Sequence, residues 1–376
     1  MVDSIMFMPL GGGQRIGASC YYLRLGETNI ILDAGIGIKN NLCFEPDFYS
    51  LLKLPFFESL GQINKVFISH AHIDHIGYLT KLMKFAKNAD IYMTELTAML
   101  SEHQIYDNKN KSLFEKLESR VILDNITYVN YNQTFKFNEY KVTFFYAGHI
   151  PGAVMILFEY NNRKILYTGD YSIKDTYLTN KCIIPRNINV DTLILCGLHA
   201  KHSNYVSKNN LLNNNIKKLC KYILNGNSIN CYVPQLSKGI EFIKILSSIP
   251  ELSHVPIYID NSIMNVIDKI ERLYFPILDK INYYNLEKNQ DGPYIYITSK
   301  YVENICDKFL KFDFSLHDDF NETIEFIKRI NAEKIYVVHC EDYYSKYDYD
   351  IKQVLEKDIN FKSQLIFAQE KELYKL

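Results

Sequence analysis

The sequence predicts an α/β protein in which two stacked β-sheets are flanked by helices and accompanied by a smaller unit of parallel strands alternating with helices. Three observations predict it. Eight short apolar runs bounded by turns recur through the first 200 residues, strands and longer helices alternate from about residue 200 to 310, and a last helix–strand–helix–strand series closes the chain.

In order, the strand-like runs are "SCYYLRLG", "TNIILDAG", "NKVFISH", "ADIYMTE", "KVTFFYAG", "AVMILFEY", "KILYTGDY" and "DTLILCG". Each concentrates β-branched, aromatic or other apolar residues, and four of the eight close on Gly, as strands bounded by turns do. One stretch, "IGYLTKLMKFAKN" at 76–88, has apolar residues at helical spacing and predicts a helix. Beyond residue 200 come helix "NNLLNNNIKKLCKYILNG", strand "SINCYVP", helix "KGIEFIKILSSI", strand "VPIYID", helix "SIMNVIDKIERLYF" and strand "YIYITS". That rhythm is the mark of parallel strands joined by crossover helices. After about residue 311 follow helix "NETIEFIKRI", strand "KIYVVH", a further helix and strand "QLIFAQ". The length suits two domains or one large domain carrying an insertion, and the change of rhythm near residue 200 marks a small parallel α/β domain.

Composition narrows the function. Lys+Arg 42 against Asp+Glu 43 leaves a net charge of −1 over 376 residues, so no global basic field draws the surface onto a polyanion. Any contact with nucleic acid must be local. Eight scattered cysteines form no CxxC pair, which fits a reducing compartment and excludes a zinc ribbon. The first residues lack the basic and apolar regions of a signal peptide, and no apolar run approaches the ~18 residues of a membrane span. The expectation is a soluble cytoplasmic protein with no membrane contact.

The most informative stretch is "ISHAHIDHIGYL", residues 68–79. On a short loop, alternating His70 and His72 can converge on one ion while Asp74 and His75 turn toward another; imidazole nitrogen and carboxylate oxygen are ligands that suit Zn²⁺. Three later residues end strand-like runs where a dinuclear site needs them: His149 after "VTFFYAG", Asp170 after "ILYTG" and His339 after "KIYVV". Asp33 in "ILDAG" either orients a ligand from behind or only closes a turn.

With these residues in place, the sequence resembles the metallo-β-lactamase superfamily, and within it the β-CASP group of RNA- and DNA-processing nucleases. "GGGQRIGASCYYLRLGETNIILDAG" looks like the group's opening segment, "AGHIPGA" and "YTGDYS" like two further motifs, and "FSLHDDFNETIEFIKRINAEKIYVVHCED" like its closing block. The resemblance implies an αββα sandwich formed by residues 1–199 and 311–376, with residues 200–310 inserted as an α/β cap. It implies two Zn²⁺ ions, one on His70, His72 and His149, the other on Asp74, His75 and His339, with Asp170 bridging. Such a pair polarises a shared water to hydroxide for attack on a phosphodiester. Asp74 would also steer that hydroxide, and His317 would protonate the leaving 3′ oxygen. The implied activity is that of a ribonuclease acting on single-stranded RNA. Single-stranded DNA, a cyclic nucleotide or a small ester as substrate, or a metal-binding scaffold role in a nuclease complex, are the alternatives.

The pattern breaks in two places. Where the group carries an acid to pair with its catalytic histidine, "DTLILCGLHAKH" has Cys196, and a thiol cannot hold an imidazolium as a carboxylate does. His199 and His202 just after it are expected on the surface. "YITSKYVENICDKFLKFDFSLH" lacks the group's glycine-rich turns, so the cap is expected to be trimmed, with Lys238 and Lys300 as candidates to grip substrate phosphates. From Thr192 to Ile240 there is no Asp or Glu but there are six lysines, at 201, 208, 217, 218, 221 and 238. This is either a locally positive first half of the cap able to hold backbone phosphates, with Tyr205 and Tyr222 as candidates to stack on bases, or a solvated helix with a chance bias of charge.

Overall fold

The computed structural model describes residues 4–40, 42–105, 126–184, 188–205, 209–278, 283–284, 292–299, 309–312, 314–343 and 345–376. The chain divides into two compact units. The first comprises Met1–Lys174, Lys181–Tyr205 and His317–Leu376; the second comprises Asp175–Asn180 and Val206–Leu316.

The first unit contains two seven-stranded sheets. One runs in the spatial order Tyr374–Lys375, Ile5–Gly11, Cys20–Leu25, Thr28–Leu32, Lys65–Phe67, Asp90–Met93, Ile126–Tyr128. Its first four strands pair antiparallel and the remainder parallel. The other runs Gln364–Phe367, Lys334–Val338, Thr192–Cys196, Arg163–Tyr167, Val154–Tyr160, Tyr140–Tyr146, Thr134–Lys136, with its parallel half first.

Strand periodicity shows how the sheets stack. Every residue of Cys20–Leu25 is buried, because the strand is covered on both faces. Tyr21, Leu23 and Leu25 join Phe144, Ile156, Phe158, Tyr167 and Tyr336 of the second sheet in one core. Cys20 and Tyr22 point the other way, into a cluster with Ile76, Leu79, Leu82 and Ala86 of the helical region. This is the αββα sandwich the sequence implied. The helix expected over 76–88 is instead two short helices, Ile73–Ile76 and Leu79–Met83, meeting at Gly77. At the break Tyr78 N donates to the Ala34 carbonyl at 2.7 Å, while the Asp74 and His75 carbonyls accept from Ser19 N and Ala34 N, so tertiary hydrogen bonds replace the helical ones.

The second unit holds a five-stranded all-parallel sheet in the order Tyr283–Tyr284, Ile257–Ile259, Ile295–Thr298, Ile229–Tyr232, Phe309–Lys311. Helices Asn209–Leu224, Lys238–Ser247 and Asn261–Leu273 alternate with its strands. Asp175–Asn180 belongs here and not with the flanking sandwich residues, a division the expected boundary at residue 199 did not contain. The physical reason is Glu241, 3% exposed, whose two carboxylate oxygens accept the backbone N–H groups of Tyr177 (2.7 Å) and Leu178 (2.8 Å). Among the described residues, no helix is long and apolar enough to cross a membrane.

Candidate metal centre

Strand ends of both sheets converge on the site, all within the first unit. His70 follows Lys65–Phe67, His149 follows Tyr140–Tyr146, Asp170 follows Arg163–Tyr167 and His339 follows Lys334–Val338. His149 (φ +56°) and His339 (φ +50°) lie in the left-handed region, as does Asp33 (φ +57°). Non-glycine residues hold that conformation only where surroundings impose it, and such positions cluster at functional sites.

Two donor groups form. His70, His72, His149 and Asp170 bring their ligand atoms within 4.8 Å of one another, and so do Asp74, His75 and His339. In the first group, His72 Nδ1 lies 3.1 Å from His70 Nε2 and 3.2 Å from His149 Nε2. Asp170 Oδ2 is 3.6 Å from both His70 Nε2 and His149 Nε2, while its Oδ1 is 3.5 Å from His75 Nε2 in the second group. His339 Nε2 and Asp74 Oδ2 are 3.7 Å apart. One buried carboxylate thus presents one oxygen to each group, and among the described residues Oδ1 has no hydrogen-bond donor. A buried carboxylate oxygen without a donor is costly unless a cation satisfies it, and the nitrogen and oxygen donors suit zinc. The residues therefore fit the metal the sequence implied.

Outer partners aim the rings. His75 Nδ1 bonds Asp33 Oδ2 at 2.7 Å, His339 Nδ1 bonds Ser19 Oγ at 2.8 Å, and His70 Nδ1 bonds Ser69 Oγ at 3.0 Å. In each case Nε2 is left facing the cluster, the arrangement by which outer-shell bonds fix a ligating histidine. Asp33 is fully buried and also accepts from Ser69 N (2.6 Å), Ser69 Oγ (2.7 Å) and the Tyr167 hydroxyl (2.5 Å). Ser19, Ser69 and Tyr167 were not singled out from sequence. No spacing signal marks a serine whose partners lie up to 320 positions away.

Charge follows the same geometry. Burial alone would raise the Asp170 carboxyl, but the imidazoles of His75, His339, His149 and His72 hold it below its ordinary range. His75 is pushed the other way: against its burial, Asp170 and Asp33 lift it above the ordinary histidine range. Burial and the neighbouring His75, His72, His149 and His317 depress His70.

His317 is the first residue of the returning segment and sits at the same cluster, its Nε2 3.7 Å from Asp170 Oδ2 and its ring 4.6 Å from that of His149. Burial, then His149, His339 and His199, depress it well below the ordinary range. Cys196 lies in the inter-sheet core with Sγ 3.9 Å from the Tyr167 hydroxyl. Burial, then the charges of Asp170 and Asp33, push its thiol up, so it remains neutral.

Two surface expectations are corrected. His199 and His202 are 2% and 0% exposed: His199 stacks on Tyr205 with centroids 3.9 Å apart, and His202 Nε2 lies 3.0 Å from the Asp342 carbonyl oxygen. Lys201, counted with the positive cap, is buried in the first unit, where Nζ donates to Gln14 Oε1 at 2.7 Å and lies 3.5 Å from Asp342 Oδ1. Lys238 opens helix Lys238–Ser247 in the second unit and is not among the groups gathered here. Lys300 and Lys208 lie outside the described residues.

Residues 13–211 match the metallo-beta-lactamase superfamily, and residues 306–347 match a family described as a Zn-dependent metallo-hydrolase RNA specificity domain. The chain is 28% identical over 301 residues to cleavage and polyadenylation specificity factor subunit 3 of Dictyostelium discoideum, covering 74% of this chain and 37% of that protein. It is 31% identical over 205 residues to endoribonuclease ysh-1 of Neurospora crassa (51% and 23%), and 27% identical over 244 residues to RNase aCSPSF2 of Saccharolobus solfataricus (63% and 47%). The chain therefore spans less than half the length of each. A crystal structure of a protein of unknown function from Enterococcus faecalis V583 is similar with a TM-score of 0.62 over 99% of this chain and 100% of that one; at 14% identity the likeness shows the fold alone.

Proposed function

Because the chain belongs to the metallo-beta-lactamase superfamily, we propose that it is a zinc-dependent phosphodiester hydrolase cleaving single-stranded RNA. The observation that carries this reading is Asp170, whose two oxygens face two separate donor groups and so suit a pair of ions. RNA is favoured over other diesters by the match of residues 306–347 to an RNA specificity domain and by the endoribonuclease relatives.

Two zinc ions, on His70, His72 and His149 and on Asp74, His75 and His339 with Asp170 shared, would supply Lewis acidity at phosphorus and acidify the attacking water. The chain's residues do the rest. Asp74, with a quarter of its side chain exposed, is open to solvent and can accept a proton from the incoming water while orienting it. His317 gives its proton to the leaving 3′ oxygen. Its ring is neutral in the free chain because burial and neighbouring imidazoles disfavour the cation, and the negative charge of a docked phosphodiester shifts that balance toward the protonated form. Cys196 stays a neutral thiol and contributes packing in place of a charge.

The test measures zinc content alongside cleavage of single-stranded RNA, single-stranded DNA and bis(p-nitrophenyl) phosphate. Expected are about two zinc ions per chain and turnover of RNA, abolished by Asp74→Ala with the fold intact. His317→Ala should retain zinc and lose roughly 10²–10⁴ in kcat, the usual worth of a general acid. Undiminished RNA cleavage by metal-stripped protein, or turnover confined to the small diester, would refute the reading.

A further inference from the structure

We propose that the second unit carries its own nucleotide site, in which Lys218, Lys221, Tyr222 and Asn225 surround an apolar floor of Ile229 and Leu310 and hold one base of a single RNA strand with its flanking phosphates. The proposal rests on the RNA reading above and adds a binding place built wholly from residues of the second unit.

Helical spacing creates the site. Residues 218, 221, 222 and 225 stand at i, i+3, i+4 and i+7, one face of helix Asn209–Leu224 and its final turn, where Asn225 N still donates to the Lys221 carbonyl at 3.3 Å. Leu219 and Ile223 are buried, which directs the lysine face outward. The four side chains line a cavity of about 250 Å³ together with Ile229, at the start of strand Ile229–Tyr232, and Leu310, on the neighbouring edge strand Phe309–Lys311.

Chemistry selects the occupant. Lys218 and Lys221 are exposed and, among the described residues, have no carboxylate partner; the chain has no acid between Thr192 and Ile240 to supply one from the same helix. Two ammonium groups call for anions. An inorganic anion would leave the tyrosine ring and the Ile229–Leu310 floor unused, and an apolar ligand would strand the charges. A planar base between phosphates satisfies ring, floor, amide and ammonium groups together. The volume is that of one ring system and not of several stacked bases.

The experiment measures fluorescence anisotropy of a labelled single-stranded oligoadenylate, with zinc present and cleavage blocked by Asp74→Ala. Removing two phosphate contacts with Lys218→Gln and Lys221→Gln should lower the slope of log affinity against log salt by about 1.4, at 0.7 per contact for a single strand. Tyr222→Ala should weaken binding about tenfold, the lower part of the range for one base stacked on an aromatic ring, while Tyr222→Phe keeps the affinity. Circular dichroism confirms that each variant is folded. An unchanged slope and affinity in the double lysine and Tyr222→Ala variants would overturn the site, and adenosine monophosphate binding as tightly as the strand would overturn its assignment to RNA. Cleavage of RNA by the unaltered chain is scored separately: absent cleavage with a reduced slope sinks the proposed function, whereas cleavage with an unchanged slope sinks only this site.

Discussion

Asp318, next in sequence to the candidate proton donor, shows how a single residue ties the site to the fold. It is 5% exposed, and its carboxyl accepts the Ile173 N–H at 3.0 and 3.1 Å, fastening the loop after Asp170 to the segment that carries His317. Burial, then the charge of Glu322, pushes it up to about 8. An unfolded aspartate titrates near 3.9, so the folded chain holds an extra proton between those values. Its stabilising contribution is complete below about pH 4 and is lost as pH rises through about 8. Asp318→Asn keeps the acceptor without the titration, so its melting temperature should gain on the parent between pH 5 and pH 8; a gap independent of pH across that range would show that Asp318 is ionised throughout. Ser19 offers a second test at this scale. Ser19→Ala removes the bond to His339 Nδ1 and should cost about 10–100-fold in zinc affinity, measured by chelator competition. The ligand candidates were legible because the H-x-H-x-D-H pattern of residues 70–75 is rare and the resemblance supplied the partners at 149, 170 and 339. Ser19, Ser69 and Tyr167 were not, because their roles exist only through space.

Between residues and domains, the loops at strand ends decide whether ligands meet. The short helix Ile73–Ile76, which carries Asp74 and His75, is held by backbone bonds from Ser19 N to Asp74 O, Ala34 N to His75 O and Ile36 N to Ile73 O. Gly35 lies inside this lacing: a Cβ there would fall 1.7 Å from Asp74 O. Gly35→Ala must therefore displace the helix, and zinc content should drop toward one ion or none while far-ultraviolet circular dichroism stays near that of the parent; full zinc occupancy would show that the loop yields elsewhere. Gly169 plays a like part beside Asp170, since a Cβ would meet Ser69 Cβ at 2.5 Å. The sequence made strands such as Val154–Tyr160 and helices such as Asn261–Leu273 readable, because their periodicity is local. It did not reveal that the run at 76–88 is broken, because the break answers to backbone bonds with Ser19 and Ala34, which are distant in sequence.

At the scale of the molecule, a site drawn from positions 70 to 339 exists only in the folded chain, so zinc held there would stabilise that state by mass action. At free zinc a thousandfold above its dissociation constant this is worth about 4 kcal/mol, and chelation should lower the melting temperature by several degrees; no shift would mean that the donors do not hold metal. What the sequence by itself determined was the chemistry: the donor types, their placement at strand ends, the strand-rich sandwich and the alternating second unit, all written in neighbouring residues. Tertiary structure alone decided that Ser19 and Ser69 aim rings of the site, that Asp33 bonds His75 and does not merely close a turn, that His199, Lys201 and His202 lie inside, and that Glu241 draws residues 175–180 into the second unit. The division is physical: side-chain type and spacing fix what a residue can bind, whereas distance and burial depend on which distant segments the packed sheets bring alongside it.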